Sequence, residues 1–198
     1  QDYVSPRPPH ASLSTPRSGY GSWCHPSAGF EVNDSGLRAA ASSNNNRIVL
    51  PNGVPLATPG SPDSRNIAFV SQWDNFPREI TIPLSGRAAK VHLLMAGSTD
   101  GMKSRIDNGE VIITYTDGSS ARLALENPTT WWPVDQDYFI DDYAFARPGP
   151  LPIRVDLRSG KIRVLDQKTF AGQGGNVRGG AATVLDFSLD ASREVKSM

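Results

Sequence analysis

The sequence has few of the features that usually mark a chemistry. A single cysteine, Cys24, stands in 198 residues, which excludes an internal disulfide framework and a multi-cysteine zinc site. As a nucleophile Cys24 would need a base placed in space, and His25 is adjacent only along the chain. His10, His25 and His92 form no ligand pattern, and His92, inside an apolar run, reads as a hydrogen-bonded core histidine. Charge of neither sign dominates: 20 Lys+Arg balance 20 Asp+Glu. Without a basic stripe, nucleic acid and anionic membrane are poor partners. No apolar run approaches the ~20 residues of a membrane span. No amphipathic helix and no internal repeat stand out. The opening QDYVSPRPPH carries no apolar leader, as in a cytoplasmic chain, one already processed, or one cut from a longer protein.

Glycine (18) and proline (16), by contrast, are plentiful, which favours a turn-rich β protein. Residues 1–45 read as an irregular arm packed on the domain, because SPRPPHASLSTPR supports neither a continuous helix nor a central strand. AAASSNNN (39–46) reads as an exposed loop. From residue 46 to 198 the chain reads as short strands. NIAFVSQW, REITIPL and RAAKVHLLMAG are β-type runs.

Two hairpins are explicit. In GEVIITYTDGSSARLALE, Val111, Ile113 and Tyr115 face one way and Ile112 and Thr114 the other, while Leu123 and Leu125 share a face of the second run. Asp117-Gly118 suits a two-residue turn at positive φ. In PIRVDLRSGKIRVLD, Ile153, Val155 and Leu157 alternate with Arg154, Asp156 and Arg158 around a turn at Ser159-Gly160. That alternation predicts an apolar face and a charged face turned to water. FAGQGGNVRGG is a glycine-rich loop outside any βαβ pattern and lacks a phosphate-binding lysine, so a nucleotide site is not indicated. AATVLDFSLD is a further strand. The expected fold is all-β, an antiparallel β-sandwich. REVKSM starts another strand, which suggests a domain continuing past Met198 or an edge covered by another chain.

Several spaced motifs carry a family resemblance. WDNFPREITIPLSGRAAKVHLLMAGSTDGM, NGEVIITYTDGSS, NPTTWWPVDQDYF and GGAATVLDFSLDASREVKS occur in order. The chain resembles a family of large secreted proteins of gut bacteria, assigned provisionally to glycoside hydrolysis and containing a domain of unknown function. No catalytic residues are defined for that family. ITIPLSGRAAKVHLLMAGS followed by VIITYTDGSS and WW also looks like the galactose-binding-like jelly rolls appended to glycosidases. The resemblance implies an extracytoplasmic accessory β-sandwich beside a catalytic domain, although family members continue with strands that this chain lacks.

The candidate site centres on ENPTTWWPVDQDYF (126–139). Adjacent strand residues point to opposite faces, so Trp131 and Trp132 do not bury both rings on one side. One indole would cap the core. The other would pack under the arm or form a platform for a pyranose ring, with Asp135, Gln136, Asp137 and Tyr138 meeting its hydroxyls. Trp73, Asp74 and Asn75 would either build a core residue and an Asx turn or extend the rim. Glu126, Asp135, Asp137, Asp141 and Asp142 are the carboxylates from which a glycosidase pair, ~5–9.5 Å apart, would be drawn. The oxygen-rich turns NDSG, STDG and IDNG would suit a structural calcium ion, though turn formation explains each without metal; no other cofactor is indicated. The leading expectation is a noncatalytic module that binds carbohydrate weakly or packs on a catalytic domain. The alternatives are part of a glycosidase cleft and a purely structural interaction domain.

Overall fold

The computed structural model describes residues 32–62, 64, 66–68, 70, 77–97, 106–127, 129–137, 151–165 and 176–198. Ten elements occur among them. They are α1 (Ser35–Ser42), β1 (Arg47–Val49), β2 (Pro55–Ala57), β3 (Lys90–Met95), β4 (Asp107–Tyr115), β5 (Ser120–Glu126), β6 (Ile153–Asp156), β7 (Ile162–Val164), β8 (Ala181–Ser188) and β9 (Val195–Ser197). Every strand pairing is antiparallel, in sheets ordered β3-β8-β6-β7, β5-β4-β9 and β1-β2. The fold is the all-β sandwich that the alternating runs predict.

The four-stranded sheet lies at the centre because both faces of β8 are apolar. Ala182 and its partner Val155 pack with Leu37 and Ala41 of α1 and with Ile48 and Leu56 of the β1-β2 pair. On the opposite face Phe187, paired with Val91, joins Ile113, Tyr115 and Val195 of the β5-β4-β9 sheet. Burying a side chain such as Phe187 or Ile113 contributes about 1.5–3 kcal/mol, so these two cores carry most of the stability.

The β4-β5 hairpin has the predicted facing. Ile113 and Tyr115 are buried, while Ile112 is exposed. Its turn differs from the two-residue form. Gly118 has φ 84° and Asp117 is not in the left-handed region. Gly118 N donates to Tyr115 O, and Tyr115 N to Ser119 O. The result is a three-residue loop, a type I turn closed by a left-handed glycine. One positive φ then suffices, and Asp117 instead accepts from Ser119 N at 2.9 Å.

Two further readings are corrected, and the edge of β9 is paired within the chain. Residues 35–42 are helical rather than part of an irregular arm and loop. Eight residues, SGLRAAAS, make a helix too short to stand alone. It forms because Leu37 and Ala41, four apart, enter the core. Asn45 (φ 50°) and Asn46 (φ 58°) end it in the left-handed region that Asn tolerates. The outer edge of β9 is covered by this chain: Ile82 and Met198 exchange backbone hydrogen bonds, and Leu84 N donates to Lys196 O. His92, expected in the core, is only half-buried and lies 2.7 Å from Asp186, its cross-strand partner. Residues 1–31, including His10, Cys24 and His25, lie outside the described residues.

Candidate functional site

The tryptophan pair resolves into two environments. Trp132 is 1 % exposed, and the guanidinium of Arg154 stacks 5.5 Å from its ring centroid. Its face is therefore closed to a sugar, which corrects the platform reading at that residue. The Trp131 ring is half-buried and rests on Gly97, where an added Cβ would lie 2.1 Å from it. Trp131 N donates to Glu126 O, and Val134 N to Gly97 O. Residues 131–137 thus form a strap along the sheet, and Ala181 N donates to Val134 O at its other side.

What holds the strap is Arg154 on β6. Alternation places it opposite the core-facing Val155, and the sequence reads that face as solvated. The structure corrects this: Arg154 is 0 % exposed because the strap lies over it. Its guanidinium donates to Pro133 O at 2.7 Å, Gln136 O at 3.1 Å, Thr183 Oγ1 at 2.6 Å and Asp137 Oδ1 at 3.3 Å. Arg supplies this planar fork of donors and Lys does not. Burial pulls the guanidinium down to about 10, against the opposing pull of Asp137, so it stays cationic at neutral pH.

Asp137 is buried at the end of the strap, 8 % exposed. It also takes two hydrogen bonds from Arg163 of β7, at 2.6 and 3.1 Å. Arg163 Nε donates in turn to Asp156 at 2.7 Å. Burial presses the Arg163 guanidinium downward, but the bonds to Asp137 and Asp156 outweigh it and hold it above the usual value. With two guanidinia on one carboxylate, Asp137 is a fixed anchor for the end of the strap.

This cluster floors an open depression of about 530 Å³, lined by Asp137, Asp156, Arg163, Arg158, Asn176 and Arg178, with Ser159 and Val177. That volume is within the ~300–1,000 Å³ of small-ligand sites. Arg158 comes from the β6-β7 turn and Asn176, Val177 and Arg178 from the loop before β8. The two loops are locked together. Leu157 N donates to Gly180 O, Val177 N to Asp135 O, and Leu37 N of α1 to Leu157 O. Gly179 and Gly180 both have positive φ, and a Cβ at Gly179 would lie 2.6 Å from the Arg158 Cβ. Glycine there lets the Arg158 stem lie against the loop backbone.

Of the expected carbohydrate-binding residues that are described, only Asp137 lines this depression. Trp131, Trp132 and Asp135 belong to the strap, and Asp135 contributes its carbonyl to Val177 N. Tyr138, Trp73, Asp74 and Asn75 lie outside the described residues, as do Asp141 and Asp142. Of the turns read as calcium loops, NDSG holds Asp34 in a buried pair with Arg38 at 2.9 Å, Asp107 of IDNG pairs with Arg122, and STDG lies outside the described residues. Among the described residues no three His, Cys, Asp or Glu side chains group to hold a metal ion, and no helix is long and apolar enough to cross a membrane. The sequence reading missed Arg154, Arg158, Arg163 and Arg178. The signal lies in the charged positions Arg154, Asp156 and Arg158 of IRVDLR and Arg163 of KIRVLD, which alternation assigns to a solvated face, and in Arg178 of the glycine-rich loop. Comparison with protein-family models, with curated proteins and with solved structures finds no match.

Proposed function

We propose that the chain is a noncatalytic accessory β-sandwich that binds carbohydrate through the depression between the β6-β7 turn and the 176–180 loop. The observation that carries this reading is the double clamp on Asp137. Asp137, one of the carboxylates from which a glycosidase pair would be drawn, accepts from both Arg154 and Arg163 and is fixed as part of the floor of the depression. What the depression offers is a fixed rim of guanidinium, carboxylate, amide and hydroxyl groups with one apolar residue, Val177. Such a rim matches the alternating donors and acceptors of a polyhydroxylated ring. The likeness of the sequence to modules appended to secreted glycosidases points the same way, and on that reading the module works outside the cytoplasm beside a catalytic domain.

A glycan array tests it. The wild type retains a set of saccharides, and the Arg158→Ala/Arg178→Ala variant loses them while its melting temperature stays put. An array that is blank for the folded wild type would overturn the proposal, and release of reducing sugar by the chain alone would replace it with a catalytic one.

A further inference from the structure

We infer that the depression selects an acidic saccharide, one bearing a carboxylate or a sulfate ester, and that Arg158 and Arg178 receive its anionic group. The inference rests on the carbohydrate-binding reading above and adds the ligand's charge. Three guanidinia line the depression against two carboxylates. Those two carboxylates are engaged: Asp137 by Arg154 and Arg163, and Asp156 by Arg163. The remaining guanidinia, Arg158 and Arg178, have no hydrogen-bond or ion-pair partner among the described residues, and both are exposed at the rim.

The site is built rather than incidental. The Arg158 stem packs against Gly179, which has no Cβ to displace it and whose φ of 82° favours glycine. Gly160, at φ 70°, fits the same turn against α1, where a Cβ would lie 2.5 Å from Gly36 O. Arg158 and Arg178 therefore line the depression from two loops joined by the Leu157 N to Gly180 O hydrogen bond, beside a floor of fixed charge. A neutral sugar leaves both cations without a counter-charge. A uronate or sulfated residue supplies one, and the planar fork of arginine matches either group in bidentate fashion.

Calorimetric titration tests this with five probes: trigalacturonate, its methyl ester, a sulfated galactose trisaccharide, neutral galactotriose and inorganic sulfate. Trigalacturonate or the sulfated trisaccharide should bind at least about tenfold more tightly than its neutral counterpart, since one charge-assisted contact is of that order. The two acidic probes tell a carboxylate ligand from a sulfate ligand. Affinity should fall as salt rises, and each of Arg158→Ala and Arg178→Ala should cost about tenfold. Both residues are exposed, so thermal melts of the variants serve as the folding control. Equal affinity for neutral and acidic probes would overturn the acidic-ligand inference and leave the carbohydrate reading standing. Failure of every saccharide, with inorganic sulfate still bound through Arg158 and Arg178, would overturn both and leave a simple anion site.

Discussion

Arg154 is the residue on which the architecture turns. A buried guanidinium is costly unless each donor finds an acceptor, and here four acceptors come from the strap and β8. Truncating it leaves Asp137 buried beside Arg163 alone and strips partners from Pro133 O, Gln136 O and Thr183. Arg154→Ala should therefore lower stability by about 3–5 kcal/mol in urea unfolding, whereas Arg178→Ala, at the exposed rim, should change it by less than about 0.5 kcal/mol. A loss no larger for Arg154 than for Arg178 would contradict the clamp. Asp186 supplies a second test at this scale. Partial burial raises its carboxyl, but hydrogen bonds from His92 and Lys90 outweigh that and hold it below its ordinary 3.8. A folded value below the unfolded one means stabilisation is present above pH 3.8 and lost as pH falls through the folded value. Urea midpoints below that pH should fall more steeply in the wild type than in Asp186→Asn, and parallel profiles would refute the pairing.

At the scale of elements, close approaches fix the strap and the turns. The Trp131 ring occupies the space that a side chain at Gly97 would need. Gly97→Ala should push the ring aside and cost about 1–3 kcal/mol as overpacking, visible as a shifted Trp fluorescence maximum as well as a lower melting temperature. Gly118→Ala meets no neighbour, so its cost should be only the backbone strain of a left-handed alanine, about 1–2 kcal/mol, with fluorescence unchanged. The elements also show what could be read from sequence. Val111, Ile113 and Tyr115 lie on the buried face of a hairpin because period-two alternation is a local property. Arg154 sits at an equally regular alternating position, yet its burial depends on a strap that arrives from residues 131–137, and alternation carries no information about what covers a face. Helix α1 escaped for a related reason. Eight residues are too few to show a helical period beside the Ser/Asn run that follows, and its docking on Leu157 O and the core is tertiary.

For the whole molecule, the central sheet is covered on one face by α1 with β1-β2 and on the other by the β5-β4-β9 sheet. The all-β sandwich follows from short alternating strands between Gly- and Pro-rich turns, and was legible for that reason. The candidate site was legible only in part. The segment that bears Asp137 was identified from its paired tryptophans, but the partners that define the site come from β6, β7 and the loop before β8, which only folding brings together. Neutral net charge likewise hides a local excess of arginine at one end of the four-stranded sheet.

The central claim is that ligand recognition belongs to the arginine-lined depression and that the tryptophan strap is scaffold. NMR detection of arginine Nε–Hε and tryptophan indole N–H signals during titration with trigalacturonate tests it most directly. The account predicts that the Arg158 and Arg178 resonances move with ligand concentration while the Trp132 indole stays still. Movement of the Trp132 indole with static Arg158 and Arg178 signals would contradict it.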